Sequence, residues 1–108
     1  NQDDHVKNVA FMMDRNGQWD LSPAYDLVHS EGSEFTRNHQ LSINGKTNNF
    51  DRSDLKHLAE YAGLPRGFEK QVIQRTVAAF SKWKGLATDL GIPLNLQEHV
   101  LRTLRLKI

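Results

Sequence analysis

The hydrophobic period of this chain changes once, near residue 52, and that change restricts it to a small β element followed by helices. Val9 to Met13 is an unbroken apolar run, and Asp14-Arg15-Asn16-Gly17 is a turn signal. Trp19 and Leu21 then alternate with polar neighbours. The pattern predicts a β-hairpin in which Gly17 supplies the positive-φ position. Ser22-Pro23 closes the second strand, because proline cannot donate to a ladder and restricts the residue before it. Gly32 to Gln40 is polar and irregular and reads as a surface loop. Leu41 and Ile43, ending at Asn44-Gly45, predict one more short strand and a tight turn.

From Ser53 onward the period is helical. Ser53 is placed to cap Asp54 to Ala62, with Asp54 favourable at the helix N-terminus and Gly63 as the stop. Leu55, Leu58, Ala59 and Ala62 share one face. After Pro65, the residues Phe68, Val72, Ile73, Val77, Phe80 and Trp83 recur at helical spacing and read as core. That helix either breaks near Gly85 or runs on to Gly91. Asn95 with Glu98 three residues later resembles a capping box, leading a last helix that buries Leu96, Val100, Leu101 and Leu104. The expected class is α+β, mostly α: a β-hairpin, then about three helices. Neither an internal repeat nor a low-complexity tract occurs.

A chain of 108 residues can bury roughly 65% of its unfolded surface, enough for one core. It has no cysteine, which excludes disulfide frameworks, thiolate zinc sites and cysteine nucleophiles. No apolar run approaches the roughly 18 residues of a membrane span. The net charge of +1 hides an asymmetry: residues 1–52 hold 8 acidic and 5 basic side chains, residues 53–108 hold 5 and 9. An acidic half can attract a cation and a basic half an acidic partner, or both are ordinary solvated faces.

Asp3, Asp4, His5, Lys7 and Asn8 crowd together directly ahead of the hairpin. Asp3 and Asn8 stand as D-x-x-x-x-N, the spacing of the protein-kinase catalytic loop, where the aspartate accepts a hydroxyl proton and the asparagine holds Mg²⁺. Alone, that offset is common. The hairpin adds to it: antiparallel neighbours lie about 4.8 Å apart, so residues just before one strand and just after the other come close. Asn8 and Asp26 are therefore expected side by side. An amide oxygen and a carboxylate suit Mg²⁺, which keeps several waters and takes further ligands from nucleotide phosphates. Asp3 stays outside that shell, free to orient an incoming hydroxyl.

The chain departs from the common kinase pattern. Tyr25-Asp26-Leu27 stands where Asp-Phe-Gly would be, and His5 stands where a lysine is usual, with Lys7 close enough to supply the charge. In this combination the chain resembles the HipA family, the kinase toxins of bacterial toxin–antitoxin pairs. The matching strings are Asn1-Gln2-Asp3-Asp4-His5-Val6-Lys7-Asn8, Leu21-Ser22-Pro23-Ala24-Tyr25-Asp26-Leu27 and His39-Gln40-Leu41-Ser42-Ile43-Asn44-Gly45-Lys46.

The resemblance implies the C-terminal lobe of a protein-kinase-like fold, with ATP and Mg²⁺ as cofactors and serine/threonine kinase activity in the cytoplasm. Residues 1–108 would form one HipA-like C-terminal domain: catalytic loop, hairpin and metal-binding segment in 1–30, loop and short strand in 31–52, helical subdomain in 53–108. Asp3 would be the catalytic base and Asn8 and Asp26 the metal ligands. His5, Lys7 and Tyr25 would line the nucleotide phosphates. The implied partners are a protein substrate such as an aminoacyl-tRNA synthetase, and a small DNA-binding antitoxin of the HipB type, with DNA met only through the antitoxin.

Each residue also has a plainer reading. Asp3 can be a terminal charge, Asn8 a group that satisfies backbone at a strand's start, and Asp26 a cap on the turn after Pro23. His5 can be a local hydrogen-bond partner and Tyr25 a packed ring. His29, His39, His57 and His99 show no metal-ligand spacing and read as ordinary. No glycine-rich phosphate loop and no strand lysine paired with a helix glutamate occur. With a chain that starts at Asn1, inside the polar cluster and without methionine, this predicts a cut end and a piece unable to transfer phosphate by itself. A different class of function is a helix-turn-helix-like module in residues 53–108 that binds DNA or an antitoxin. Its basic residues Lys56, Arg66, Lys70, Arg75 and Lys82 are scattered, so a helical floor for the kinase lobe is the preferred reading.

Overall fold

The computed structural model describes residues 1–32 and 34–108; Ser33, inside the expected loop 32–40, lies outside the described residues. The chain divides into two compact units, Asn1–Asn48 and Asn49–Ile108. Among the described residues, no helix is long and apolar enough to cross a membrane.

In the first unit a 3₁₀ turn, Val6–Asn8, leads into β1 (Phe11–Met13) and β2 (Trp19–Leu21). The strands pair antiparallel with Phe11 opposite Leu21, Met12 opposite Asp20 and Met13 opposite Trp19. The turn is built by Asp14, whose carboxylate oxygen Oδ1 accepts from the Asn16 and Gln18 N–H groups at 2.8 Å each. Gly17 takes φ +80°, as the turn chemistry predicts. The Gln18 N–H, followed by that of Asn16, holds the Asp14 carboxyl below its ordinary pKa despite opposing desolvation.

All six strand residues are exposed, and one expectation for this unit changes. The strand expected at Leu41–Ile43 is a single bridge, in which Ile43 and Lys46 exchange two backbone bonds of 2.9 Å. Asn44 and Gly45 carry φ of +52° and +75° between them, the two positive values that a type I′ turn requires. With its partner only three residues away, the segment has nothing to extend a ladder against.

The second unit holds α1 (Arg52–Tyr61), α2 (Phe68–Phe80), α3 (Trp83–Asp89) and α4 (Leu94–Thr103). α1 packs on α2, and α3 on α4. The cap of α1 is Asp51, not Ser53. The Asp51 side chain accepts from the N–H groups of Ser53 at 2.7 Å and Asp54 at 3.2 Å, and Asp54 Oδ2 accepts in return from the Asp51 N–H at 2.9 Å. Asp54 is fully buried within this reciprocal box. Ser53 sits two positions past the cap, and its hydroxyl donates to Asp51 instead.

Gly63, at φ +66°, ends α1 as expected: its N–H reaches Glu60 O at 3.1 Å, and the Leu64 N–H reaches Ala59 O at 2.9 Å. The long central helix breaks at Ser81–Lys82, earlier than Gly85, which lies inside α3. At the break the Ser81 hydroxyl donates to Val77 O at 2.7 Å, and the Lys82 N–H turns back to Ala79 O at 3.2 Å. The cap of α4 is Pro93 rather than Asn95, its carbonyl accepting from Leu96 and Gln97 N–H groups at 3.0 Å each.

The apolar stripes form the expected core only in part. Ala59 and Ile73 are buried as expected, and Ala87 with them, whereas Phe68, Val72 and Phe80 are 40%, 44% and 52% exposed. Leu58, Leu96 and Leu101 are also exposed. Helical spacing put these residues on common faces, but short helices packed pairwise cover only part of each face. Polar bonds tie α3 to α4: Trp83 Nε1–H donates to Gln97 O at 3.1 Å, and the buried Gln97 amide donates to Ile92 O at 2.7 Å.

Candidate functional site

The hairpin does for the site what its geometry requires. Asn8 precedes β1, Asp26 follows β2, and Asn8 Nδ2 donates to Asp26 Oδ2 at 2.7 Å. Asn8 is itself fixed by the 3₁₀ turn, its Oδ1 accepting from the His5 N–H and its own N–H donating to His5 O, each at 2.9 Å. Asp26 adopts φ +56°, a left-handed conformation that aspartate tolerates better than most residues. Two further bonds hold that conformation in place. Asn1 Nδ2 donates to Asp26 O at 3.0 Å, and the Tyr25 hydroxyl donates to Lys7 O.

Asp3 is joined to this arrangement through Asn1. The Asp3 N–H donates to Asn1 Oδ1 at 3.0 Å, while the same amide's nitrogen reaches Asp26 O. The Asp3 carboxylate is half-exposed, and Asp3 Oδ1 lies 3.9 Å from His5 Nε2. His5 Nδ1 is buried and has no hydrogen-bond partner among the described residues. Lys7 contributes its carbonyl, to Tyr25. Thus Asn8, Asp26, Tyr25 and Lys7 are brought together directly, Asp3 indirectly, and His5 beside Asp3.

An ion at Asn8 and Asp26 would be held by oxygen. Asn8 Oδ1 accepts one N–H and keeps a second lone pair, and Asp26 Oδ1 makes no hydrogen bond among the described residues. A hard cation fits that donor set. Among the described residues no group of three or more His, Asp or Glu side chains could hold a metal, so an ion here would need oxygen ligands from water or phosphate.

Three contributors were not singled out by the sequence. Asn1 is the link just described. Asp4 and His39 form a pair: His39 Nδ1 lies 3.0 Å from Asp4 Oδ2, and the Gln40 N–H donates to Asp4 Oδ1 at 2.8 Å. Partial burial opposes ionisation of Asp4, but the Gln40 N–H and the His39 ring outweigh it and hold the carboxyl below its ordinary pKa. No local signal could reveal this pair, because its members stand 35 positions apart with the 3₁₀ turn and the whole hairpin between them. The string containing His39 and Gln40 was the available hint.

The HipA-like C-terminal domain model matches residues 1–84, which takes in the whole site together with α1 and α2. The chain belongs to the HipA-like C-terminal domain family. Comparison with curated proteins and with solved structures finds no match. Within this HipA-like domain, the matched stretch contains every residue expected to carry chemistry, from Asp3 to Asp26.

Proposed function

We propose that this HipA-like domain supplies the base and the metal ligands of a serine/threonine protein kinase, the toxin of a toxin–antitoxin pair. The Asn8–Asp26 hydrogen bond is the observation that carries the reading. It joins the two side chains whose oxygens would hold Mg²⁺ on the phosphates of ATP, at the two ends of the hairpin. When bound, Mg²⁺ would neutralise charge that develops on the transferred phosphoryl group.

The chain's own residues do the rest. Asp3, half-exposed, accepts the proton of the acceptor hydroxyl and orients its oxygen toward the γ-phosphate. Asn1 and the His5–Asn8 turn fix the loop that carries Asp3. His5 Nε2, beside Asp3, faces the same space and adds a donor there. Tyr25 acts through its bond to Lys7 O, which ties the Asp26 segment to the catalytic loop. The glycine-rich cradle and its lysine, absent from these residues, come from a separate nucleotide-binding lobe.

The acceptor is a hydroxyl of a protein such as an aminoacyl-tRNA synthetase, and a small antitoxin neutralises the kinase. Transfer of labelled γ-phosphate from Mg²⁺-ATP to casein tests this. The full kinase is expected to transfer phosphate, the 108-residue chain alone is not, and Asp3→Ala abolishes transfer with the far-UV circular dichroism unchanged. Clear incorporation by the isolated chain, or by the Asp3→Ala kinase, overturns the proposal.

A further inference from the structure

Asp4 directly follows the candidate base, and both of its oxygens are engaged: Oδ1 by the Gln40 N–H at 2.8 Å and Oδ2 by His39 Nδ1 at 3.0 Å. An ionised carboxylate only accepts, so His39 Nδ1 carries the proton in this contact. The two donors sit on one arm of a closed loop. His39 N–H donates to Thr47 O at 2.9 Å, and the Ile43–Lys46 bridge pins the tip around its I′ turn. The loop's backbone therefore fixes where His39 and Gln40 stand before either reaches Asp4.

Asp3 itself has little to hold it. Its carboxylate is half-exposed, with only His5, at 3.9 Å, beside it among the described residues, and its N–H rests on Asn1. Its position is set by the residues on either side. On one side Gln2, buried, donates its N–H to Ser30 O at 2.8 Å; on the other stands the doubly held Asp4. Losing either anchor lets the Asp3 backbone drift, and a misplacement of about 1 Å costs roughly 100-fold in rate where two reactants must be aligned.

We propose that His39 is a positioning residue for phosphoryl transfer: through Asp4 it fixes the segment of backbone that carries Asp3. This rests on the reading of Asp3 as the base. His39 would touch neither nucleotide nor acceptor, so its loss acts on the chemical step and leaves nucleotide binding alone.

The full kinase, assayed with Mg²⁺-ATP and casein, tests this with two substitutions of opposite chemistry. His39→Asn keeps an amide N–H₂ near the place of Nδ1; His39→Leu keeps bulk and removes the donor. His39→Leu is expected to lower kcat by about 10- to 100-fold with KM for ATP unchanged, and His39→Asn to restore most of it. If His39→Leu does not fold, Asp4→Ala removes the same contact from the other side and should show the same split between kcat and KM. Wild-type kcat in the folded variant that lacks the contact, or His39→Asn as slow as His39→Leu, overturns the role. Asp3→Asn separates the two possible failures. If it retains activity, or the wild type transfers nothing, the base reading falls and the positioning role with it. If it is inactive while His39→Leu is fully active, only the positioning role falls.

Discussion

Asn8 and Asp26, 18 residues apart, meet at 2.7 Å because a two-stranded hairpin returns the chain to its starting point. The pair is a local consequence of turn chemistry. Asp14 and Gly17 set the turn, the turn sets the register, and the register places whatever flanks the strands. The hairpin's contribution to the site lies at its ends, and all six of its strand residues are exposed.

Helix α1 is capped by Asp51 rather than Ser53. Asp51→Ala removes a carboxylate that serves two N–H groups and should destabilise the helical unit by about 1 kcal/mol. Ser53→Ala, in the first turn, should cost distinctly less. Urea unfolding followed by far-UV circular dichroism, with the two variants side by side, gives the comparison.

Acid should loosen the first unit through Asp4. Its carboxyl titrates below the ordinary value of 3.8, so the stability it contributes is complete above that value and is lost as pH falls through its folded pKa. Asp14, held low chiefly by the Gln18 N–H, responds in the same direction. Amide exchange at Gln40 should therefore speed up as the pH drops below about 4, beyond the change intrinsic to the peptide. In Asp4→Asn that extra acceleration should be absent.

The helical residues should not bind DNA in a salt-dependent way. Residues 53–108 carry 9 basic side chains against 5 acidic, but Lys56 is already engaged with Glu60 at 3.5 Å on α1. Fluorescence anisotropy of the full chain with labelled duplex DNA should show no binding that falls with salt and none that depends on Arg75 and Lys82. A strong salt slope, lost in Arg75→Ala with Lys82→Ala, would point to a nucleic-acid surface instead.

Legibility in the sequence tracked the range of the interactions. The hairpin, the positive φ of Gly17 and the stop at Gly63 depend on neighbouring residues and were readable from them. Helix positions were readable too, but the caps were displaced to Asp51 and Pro93, where the available N–H groups decide between adjacent candidates. The core is legible only in part, at Ala59 and Ile73, because spacing shows which residues share a face and is silent on whether anything covers it; Phe80 is the plainest case. The Asp4–His39 contact spans the hairpin and the loop after it and leaves no periodic trace.

On the proposed reading Asn8 and Asp26 together hold a divalent cation, and a paramagnetic titration tests that without recourse to activity. Mn²⁺ prefers the same oxygen ligands as Mg²⁺ and broadens nuclear resonances close to it. Added in small steps to the ¹⁵N-labelled 108-residue chain, it should first broaden the amide signals around Asn8 and Asp26. That broadening should disappear in Asp26→Asn and be displaced by excess Mg²⁺. Broadening that begins elsewhere, at Asp14 for instance, or that persists unchanged in Asp26→Asn, would contradict the account.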